Sequence, residues 1–356
     1  MEKLHFAIIL AIIIGVSGCV QAEKNQQIVQ NTTPEENKSA PSPITKNVSE
    51  GPVQTASTPT LANEMYIAPG SSPSITDYYG TMHIAYQRFT GASEDIYIAT
   101  YNGEKVGTPL AISASGLNDI SPSITATPGK LYAFYTKTAT SGEQNSNIYY
   151  KYYEKQWSGE YKANDFYEIW YPHNQSAVFY DGKVLLFWTR GRPGELGKIG
   201  TQYFDGSAWL DGIKVSAEIV NEKNPKVAIV NNKIHMIYEG YAGNSESNEI
   251  YFRSYDGIEW SGAEKLSGSV SGAFKGSGSI IYYKDKIYAL WFVDSAIYLS
   301  TKEGTKWSEP VKLTKDDAVY QEPSIAEYNG KLYVGYTKIA KAGQPFVYLA
   351  ELQGIN

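Results

Sequence analysis

Four basic residues recur at one matched place in this chain. Arg88, Lys137, Arg190 and Lys338 each follow an aromatic residue by two positions, after Tyr86, Tyr135, Trp188 and Tyr336. Cations at equivalent places around a closed repeat can hold carboxylate, sulfate or phosphate groups, arginine through paired donors and lysine as a point charge. The plainer reading of the same residues is a solvated cation ending a strand. Arg192 adds a guanidinium close by. The stretch 164–173 contains Tyr167, Trp170, Tyr171 and His173, and it is the most aromatic segment without a strand's alternation. Aromatic faces stack on sugar rings and on other apolar ligand surface, or else plug the wall between units. These nine residues, Arg88, Lys137, Arg190, Arg192, Tyr167, Trp170, Tyr171, His173 and Lys338, form the expected ligand-binding set.

Acidic residues offer a second chemistry. By repeat position Asp119, Glu168, Glu222 and Glu322 fall near that aromatic stretch, and Glu239 and Asp294 come from other loops. Two such carboxyls at a suitable separation would make a glycosidase pair, although acids are common in surface loops and no single pair stands out. Histidine gives no metal site. His83 and His235 each lie three residues before the matched aromatic, where other units have Tyr132, Leu185, Tyr288 or Tyr333, so they read as packing residues, and His173 stands alone. No nucleophile elbow or phosphate-binding glycine loop occurs, and the Gly- and Ser-rich tract Gly268–Gly278 reads as a flexible link. No cofactor is expected. A metal held by backbone oxygens is left open.

The elements that would position these residues repeat six times, about every 50 residues. The units open at Pro73-Ser74-Ile75, Pro122-Ser123-Ile124, Asn174-Gln175-Ser176, Pro225-Lys226-Val227, Gly278-Ser279-Ile280 and Pro323-Ser324-Ile325. The matched aromatics that follow are Tyr86, Tyr135, Trp188, Tyr238, Trp291 and Tyr336. Within a unit, alternating β-branched and aromatic residues are punctuated by turns such as Asp181-Gly182, Asn231-Asn232 and Asn329-Gly330, which supply the positive φ that tight hairpins need. The fold class expected is all-β: a six-bladed β-propeller of four-stranded antiparallel blades. The sixth unit lacks a fourth strand, and Leu61–Ala68 is the candidate to supply it and close the ring, which otherwise leaves a bare sheet edge.

Ahead of the repeat, Lys3 precedes an apolar run from Phe6 to Val16, about 11 residues and short of the roughly 20 needed to span a membrane. We read 1–18 as a signal peptide, 19–60 as a disordered tether poor in aromatics, and 61–356 as the propeller. The run ends at Val16-Ser17-Gly18-Cys19, which resembles a lipobox, and Cys19 is the only cysteine, so no disulfide forms within the chain. The expected location is the cell surface, with membrane contact through a lipid on Cys19 alone. The net charge of −6 and the restriction of arginine to Arg88, Arg190, Arg192 and Arg253 argue against a nucleic-acid partner. A monomer is expected. Most of the 30 tyrosines must cover half-buried sheet.

Three turns before a tryptophan, Asp205-Gly206-Ser207-Ala208-Trp209, Asp256-Gly257-Ile258-Glu259-Trp260 and Ser300-Thr301-Lys302-Glu303-Gly304-Thr305-Lys306-Trp307, are similar to degenerate Asp-boxes. The chain from 61 to 356 thus resembles the BNR-repeat, sialidase-like six-bladed propellers. The resemblance implies the fold more than the activity. A sialidase carries three arginines for the substrate carboxylate, a tyrosine nucleophile paired with a glutamate, and an acid/base. No Arg-Ile-Pro segment occurs near the first unit, and Arg253 falls inside a third strand. The expectation is a surface module that binds carbohydrate or an anionic surface polymer. The alternatives are a sialidase-like or other glycoside hydrolase using Asp119, Glu168, Glu222 or Glu322, and a protein-interaction or envelope-assembly propeller.

Overall fold

The computed structural model describes residues 57–355 apart from 139–145, 164–172, 192–195, 216–218, 242–247, 273 and 341–342. It is all-β, a ring of six antiparallel sheets. Each blade's innermost, second and third strands are long, and its fourth is short in blades one to five. In blade one these are Ser71–Tyr78, Thr81–Phe89, Glu94–Tyr101 and Leu110–Ala111. The innermost strands of blades two to six are Asn118–Thr127, His173–Tyr180, Val220–Val230, Lys275–Tyr283 and Val319–Tyr328. Blade five carries two short outer pieces, Lys306–Trp307 and Val311–Lys312, both paired with its third strand.

The hairpins form where the turn residues permit. Asp181, Asn231, Asn232 and Asn329 all have φ between 48° and 57°, the left-handed region that two-residue turns require. Asp205 Oδ1 accepts the backbone N–H groups of Ser207 and Ala208 at 2.8 and 2.9 Å, and Asp256 Oδ1 accepts those of Ile258 and Glu259 at 2.9 and 3.0 Å. These N–H donors hold both carboxyls below the usual carboxylate range. The aspartate turns are therefore folding devices, and they set Trp209 and Trp260 against the neighbouring blade, edge-on to Phe134 and Phe187.

The ring closes through Thr60–Pro69, which pairs antiparallel with the last strand, Pro345–Gln353. It takes the place of blade six's missing fourth strand down to single side chains. In blade two, Tyr135 Oη and Lys137 Nζ both donate to Glu160, at 2.6 and 2.7 Å; in blade six, Tyr336 Oη and Lys338 Nζ both donate to Glu64 of the closing strand.

The serine of the Pro-Ser-Ile phrase joins blade to blade. Its Oγ accepts the N–H one residue further along the next innermost strand: Ser324 from Ile75, Ser74 from Ile124, Ser123 from Ala177 and Ser176 from Val227, at 3.0 to 3.2 Å. This pattern corrects the opening of blade three by one residue. Ser176 pairs across to Phe187 as Ser123 does to Phe134, so the phrase there is Gln175-Ser176-Ala177. The tract Gly268–Gly278 is also corrected: its second half is the start of blade five's innermost strand, where Gly276 and Gly278 are closely packed. Between blades, the matched aromatics Tyr86, Tyr135, Trp188, Tyr238, Trp291 and Tyr336 are buried, each contributing about 1.5–3 kcal/mol by the usual area scale.

Candidate functional site

Every innermost strand carries a bulge at the same place, and the residues there that line the axis are Ser72, Ser121, Asn174, Asn224, Ser277 and Glu322, one per blade. Five of the six have φ between 51° and 54°. Ser72, Ser121, Asn224 and Glu322 also precede proline, which disfavours that conformation further, and residues so held cost about 1–3 kcal/mol each and cluster at ligand sites. They rim an axial cavity of about 390 Å³, within the roughly 300–1,000 Å³ range of small-ligand pockets. Further along the strands the cavity is lined by the serine ring and then by Ile75, Ile124, Ala177, Val227, Ile280 and Ile325. It is polar at one end and apolar at the other.

The rim is wired by the residue that follows each matched aromatic. Gln87 Oε1 accepts the Ser121 N–H at 2.9 Å, Thr189 Oγ1 that of Asn224 at 2.7 Å, Glu239 Oε1 that of Ser277 at 2.9 Å and Thr337 Oγ1 that of Ser72 at 3.0 Å. Thr136 Oγ1 donates to Gln175 Oε1 at 3.0 Å. One sequence position thus clasps the next blade in five of six units. From Ser121 Oγ the bonds run on through Asn174 and Asn224 to Glu239, at 3.0, 2.5 and 2.6 Å.

The repeat is broken at two places, and both face the cavity. Lys226 stands where the other five blades have a serine. Its ammonium has no hydrogen-bond or ion-pair partner among the described residues. Burial pulls its pKa below the ordinary lysine value, opposed by Glu322 and Glu239. Phe292 stands where the other blades have a polar clasp, with the exposed Phe274 beside it, ring centroids 5.6 Å apart. Gly276 makes room for that ring, since a Cβ there would meet Phe292 Cε1 at 2.3 Å.

Two carboxylates complete the wall. Glu322 accepts from Ser72 N–H, Ser72 Oγ and Thr337 Oγ1 at 2.9 to 3.0 Å. Glu239 accepts from Asn224 and Ser277, and from Asn248 Nδ2 at 3.3 Å, with Lys223 Nζ 4.0 Å away. Burial pushes the Glu239 carboxyl above its ordinary range, against the pull of those donors and of both lysines.

Of the residues the sequence singled out, Glu322 and Glu239 line this cavity. The matched cations lie elsewhere. Lys137 is paired with Glu160 and lies over Tyr149, Lys338 is paired with Glu64 and Asp316, and Arg88 stacks over Tyr97 with its guanidinium 5.3 Å from the ring centre. Arg190 is exposed at the end of its strand. None of the four is a lining residue; each serves or ends its own blade. Asp119 is buried 4.0 Å from Lys137, and Glu222 is buried with Oε1 accepting the Ile219 N–H at 3.3 Å, both off the cavity. Arg253 is buried over Trp260, its Nε donating to Ser261 O at 2.8 Å. Tyr167, Glu168, Trp170, Tyr171, Arg192 and Cys19 lie outside the described residues, as does the side chain of His173, whose backbone begins the strand next to rim residue Asn174. Lys226, Phe274, Phe292 and the rim residues Asn174, Asn224, Ser72 and Ser121 were missed. The signal for Lys226 and Phe292 was their departure from the other copies at a matched place.

Neither a protein-family description nor a curated protein matches the chain. Solved structures do. A Trypanosoma rangeli sialidase in complex with the inhibitor DANA superposes with TM-score 0.62 at 10% identity over 80% of this chain, and the chain spans 55% of that sialidase. A protein of unknown function from Dyadobacter fermentans gives 0.65 at 10% identity, over 83% of this chain and 98% of that one. The structure of YjhT gives 0.55 at 12% identity, over 82% and 96%. At such identities the likeness is one of fold: a sialidase-like six-bladed propeller.

Proposed function

We propose that this protein is a carbohydrate-binding propeller, exported and held at the cell surface by a lipid on Cys19, with the axial cavity as its binding site. One observation carries the reading. The two departures from the repeat, Lys226 and the Phe274–Phe292 pair, converge on one cavity with the amides and carboxylates of Asn174, Asn224, Glu239 and Glu322. An aromatic face beside convergent donors and acceptors suits a sugar ring, which has an apolar face and a hydroxylated edge. The sialidase names among neighbouring folds, one of them in complex with sialic acid, lend the reading direction. We keep Tyr167, Trp170, Tyr171 and His173 in the proposal as a second contact surface, because they directly precede rim residue Asn174 in the chain, and Arg192 with them, two residues past the end of the strand Lys183–Arg190. The matched cations Arg88, Lys137, Arg190 and Lys338 are assigned to electrostatic support of the blade ends.

Binding is preferred to hydrolysis of sialosides because no arginine is found among the described residues lining the cavity. A glycoside hydrolase using Glu239 and Glu322 is the second reading, favoured by the upward push on Glu239. A glycan array followed by calorimetry tests both. The wild type should bind a set of related glycans, Lys226→Met should lose at least tenfold in affinity with an unchanged melting temperature, and no glycan should be cleaved. An empty array removes the binding reading, and turnover abolished by Glu239→Gln or Glu322→Gln establishes the hydrolase.

A further inference from the structure

The axial cavity is poor in net positive charge. Among the described residues its titratable lining consists of Lys226, Glu239 and Glu322. Lys223 lies 4.0 Å from Glu239, outside the lining, and offsets that carboxylate alone. With all groups charged, Lys226 and Glu322 then balance. Burial acts to discharge Lys226, which makes the cavity more negative, and to protonate Glu239, which leaves Lys226 and Glu322 balanced within the described lining and Lys223 outside it. An incoming carboxylate would have to displace water next to Glu322 and gain in return a lysine already facing two acids.

A neutral polyol meets a better-matched surface. The ammonium of Lys226 has three donors to give and no hydrogen-bond or ion-pair partner among the described residues. Glu322 has lone pairs beyond the three hydrogen bonds it accepts from Ser72 and Thr337. Opposite charges held apart by more than ion-pair distance can be bridged by hydroxyl groups, each of which both donates and accepts. On the blade-five side the exposed ring of Phe274, braced by Phe292, provides an apolar platform, and in place of a proline Gly278 keeps the wall low, with Pro323 Cγ 2.5 Å from where a Cβ would stand.

We propose, resting on the sugar-binding reading above, that the axial site selects uncharged sugars: a neutral ring stacked on Phe274, with hydroxyls bridging Lys226 to Glu322, and with carboxylated sugars rejected. The site would then differ in ligand charge from one built around arginines.

The experiment uses the full chain in detergent and a panel of neutral gluco-, galacto- and manno-oligosaccharides beside glucuronic, galacturonic and N-acetylneuraminic acid glycans. The neutral members should bind at least tenfold more tightly than their carboxylated counterparts. Phe274→Ala, at an exposed position that does not threaten folding, should weaken neutral binding at least fivefold. Glu322→Gln should narrow the neutral preference to below threefold, by removing the repelling charge while keeping an oxygen for the Ser72 N–H. Binding to no member of the panel overturns the sugar-binding reading and this inference with it. Sugar binding with carboxylated members equal or favoured, or unmoved by Phe274→Ala, overturns the inference alone.

Discussion

Asn224 Nδ2 lies 2.6 Å from Glu239 Oε1, while the backbone N–H of the same asparagine is held by Thr189 Oγ1 of blade three at 2.7 Å. One residue therefore connects the third blade to a buried carboxylate of the fourth, which in turn accepts the Ser277 N–H of the fifth.

Removing the middle of that connection should be costly. Glu239→Ala leaves the Asn224 and Asn248 amides and the Ser277 N–H without their acceptor, and the expected loss is about 2–4 kcal/mol, since each buried orphan costs roughly 1–3. Denaturant unfolding of wild type and variant measures it. A loss under about 0.5 kcal/mol would mean that the acceptor is replaceable there.

Asp119 gives a pH signature. Burial pushes its carboxyl up to about 6 from 3.8, against Ser113, Lys137 and Ser115, which pull it down. The folded chain thus holds this proton more tightly than the unfolded one, so its contribution to stability is full below about pH 4 and is lost as the pH rises through about 6. Asp119→Asn cannot titrate. The stability of wild type relative to Asp119→Asn should fall by about 2–3 kcal/mol between pH 3.5 and 7, and a flat difference would refute the assignment.

Closure of the ring should dominate global stability. A chain beginning at Ser71 lacks the strand Thr60–Pro69, exposing the edge of Pro345–Gln353 and the burial sites of Ile67 and Ala68. Its melting temperature should drop by about 10 °C or more, or the protein should aggregate, relative to a chain beginning at residue 57. Glu64→Ala should give a smaller drop through Tyr336 and Lys338. Equal melting of the two chains would mean that the ring does not depend on this strand.

The anchor is tested by fractionation. Wild type should partition with membranes and carry a lipid adduct on Cys19, and Cys19→Ser should appear in the soluble or uncleaved fraction. Identical partitioning with no adduct by mass spectrometry would remove the anchor from the proposal.

Much of the fold was legible because its signals are local. The Asn and Asp turns, the matched aromatics and the unpaired Leu61–Ala68 segment each announce a strand pair without reference to the rest of the ring. Blade three was misread by one position because Gln175 replaces the proline, so its frame is fixed only by cross-strand pairing of Ser176 with Phe187. The site was less legible for a geometric reason. Cations two residues past the aromatics looked free in sequence, but Lys137 and Lys338 meet Glu160 and Glu64, which lie 23 and 274 positions away. Lys226 was legible in principle, as the lone non-serine at its place, and was passed over because a lysine in a strand ordinarily faces solvent.

The left-handed bulge residues have an implication for how this protein could diversify. At Ser72, Ser121, Asn174, Asn224 and Glu322 φ stays between 51° and 54°, although the side chains are two serines, two asparagines and a glutamate. The same main-chain turn thus accommodates three kinds of side chain, each with its own hydrogen bonds in the rim. The axis is a dial with a setting on each blade: exchanging the side chain at one of these positions would alter what the central well recognises, while the sheets around it keep the same register.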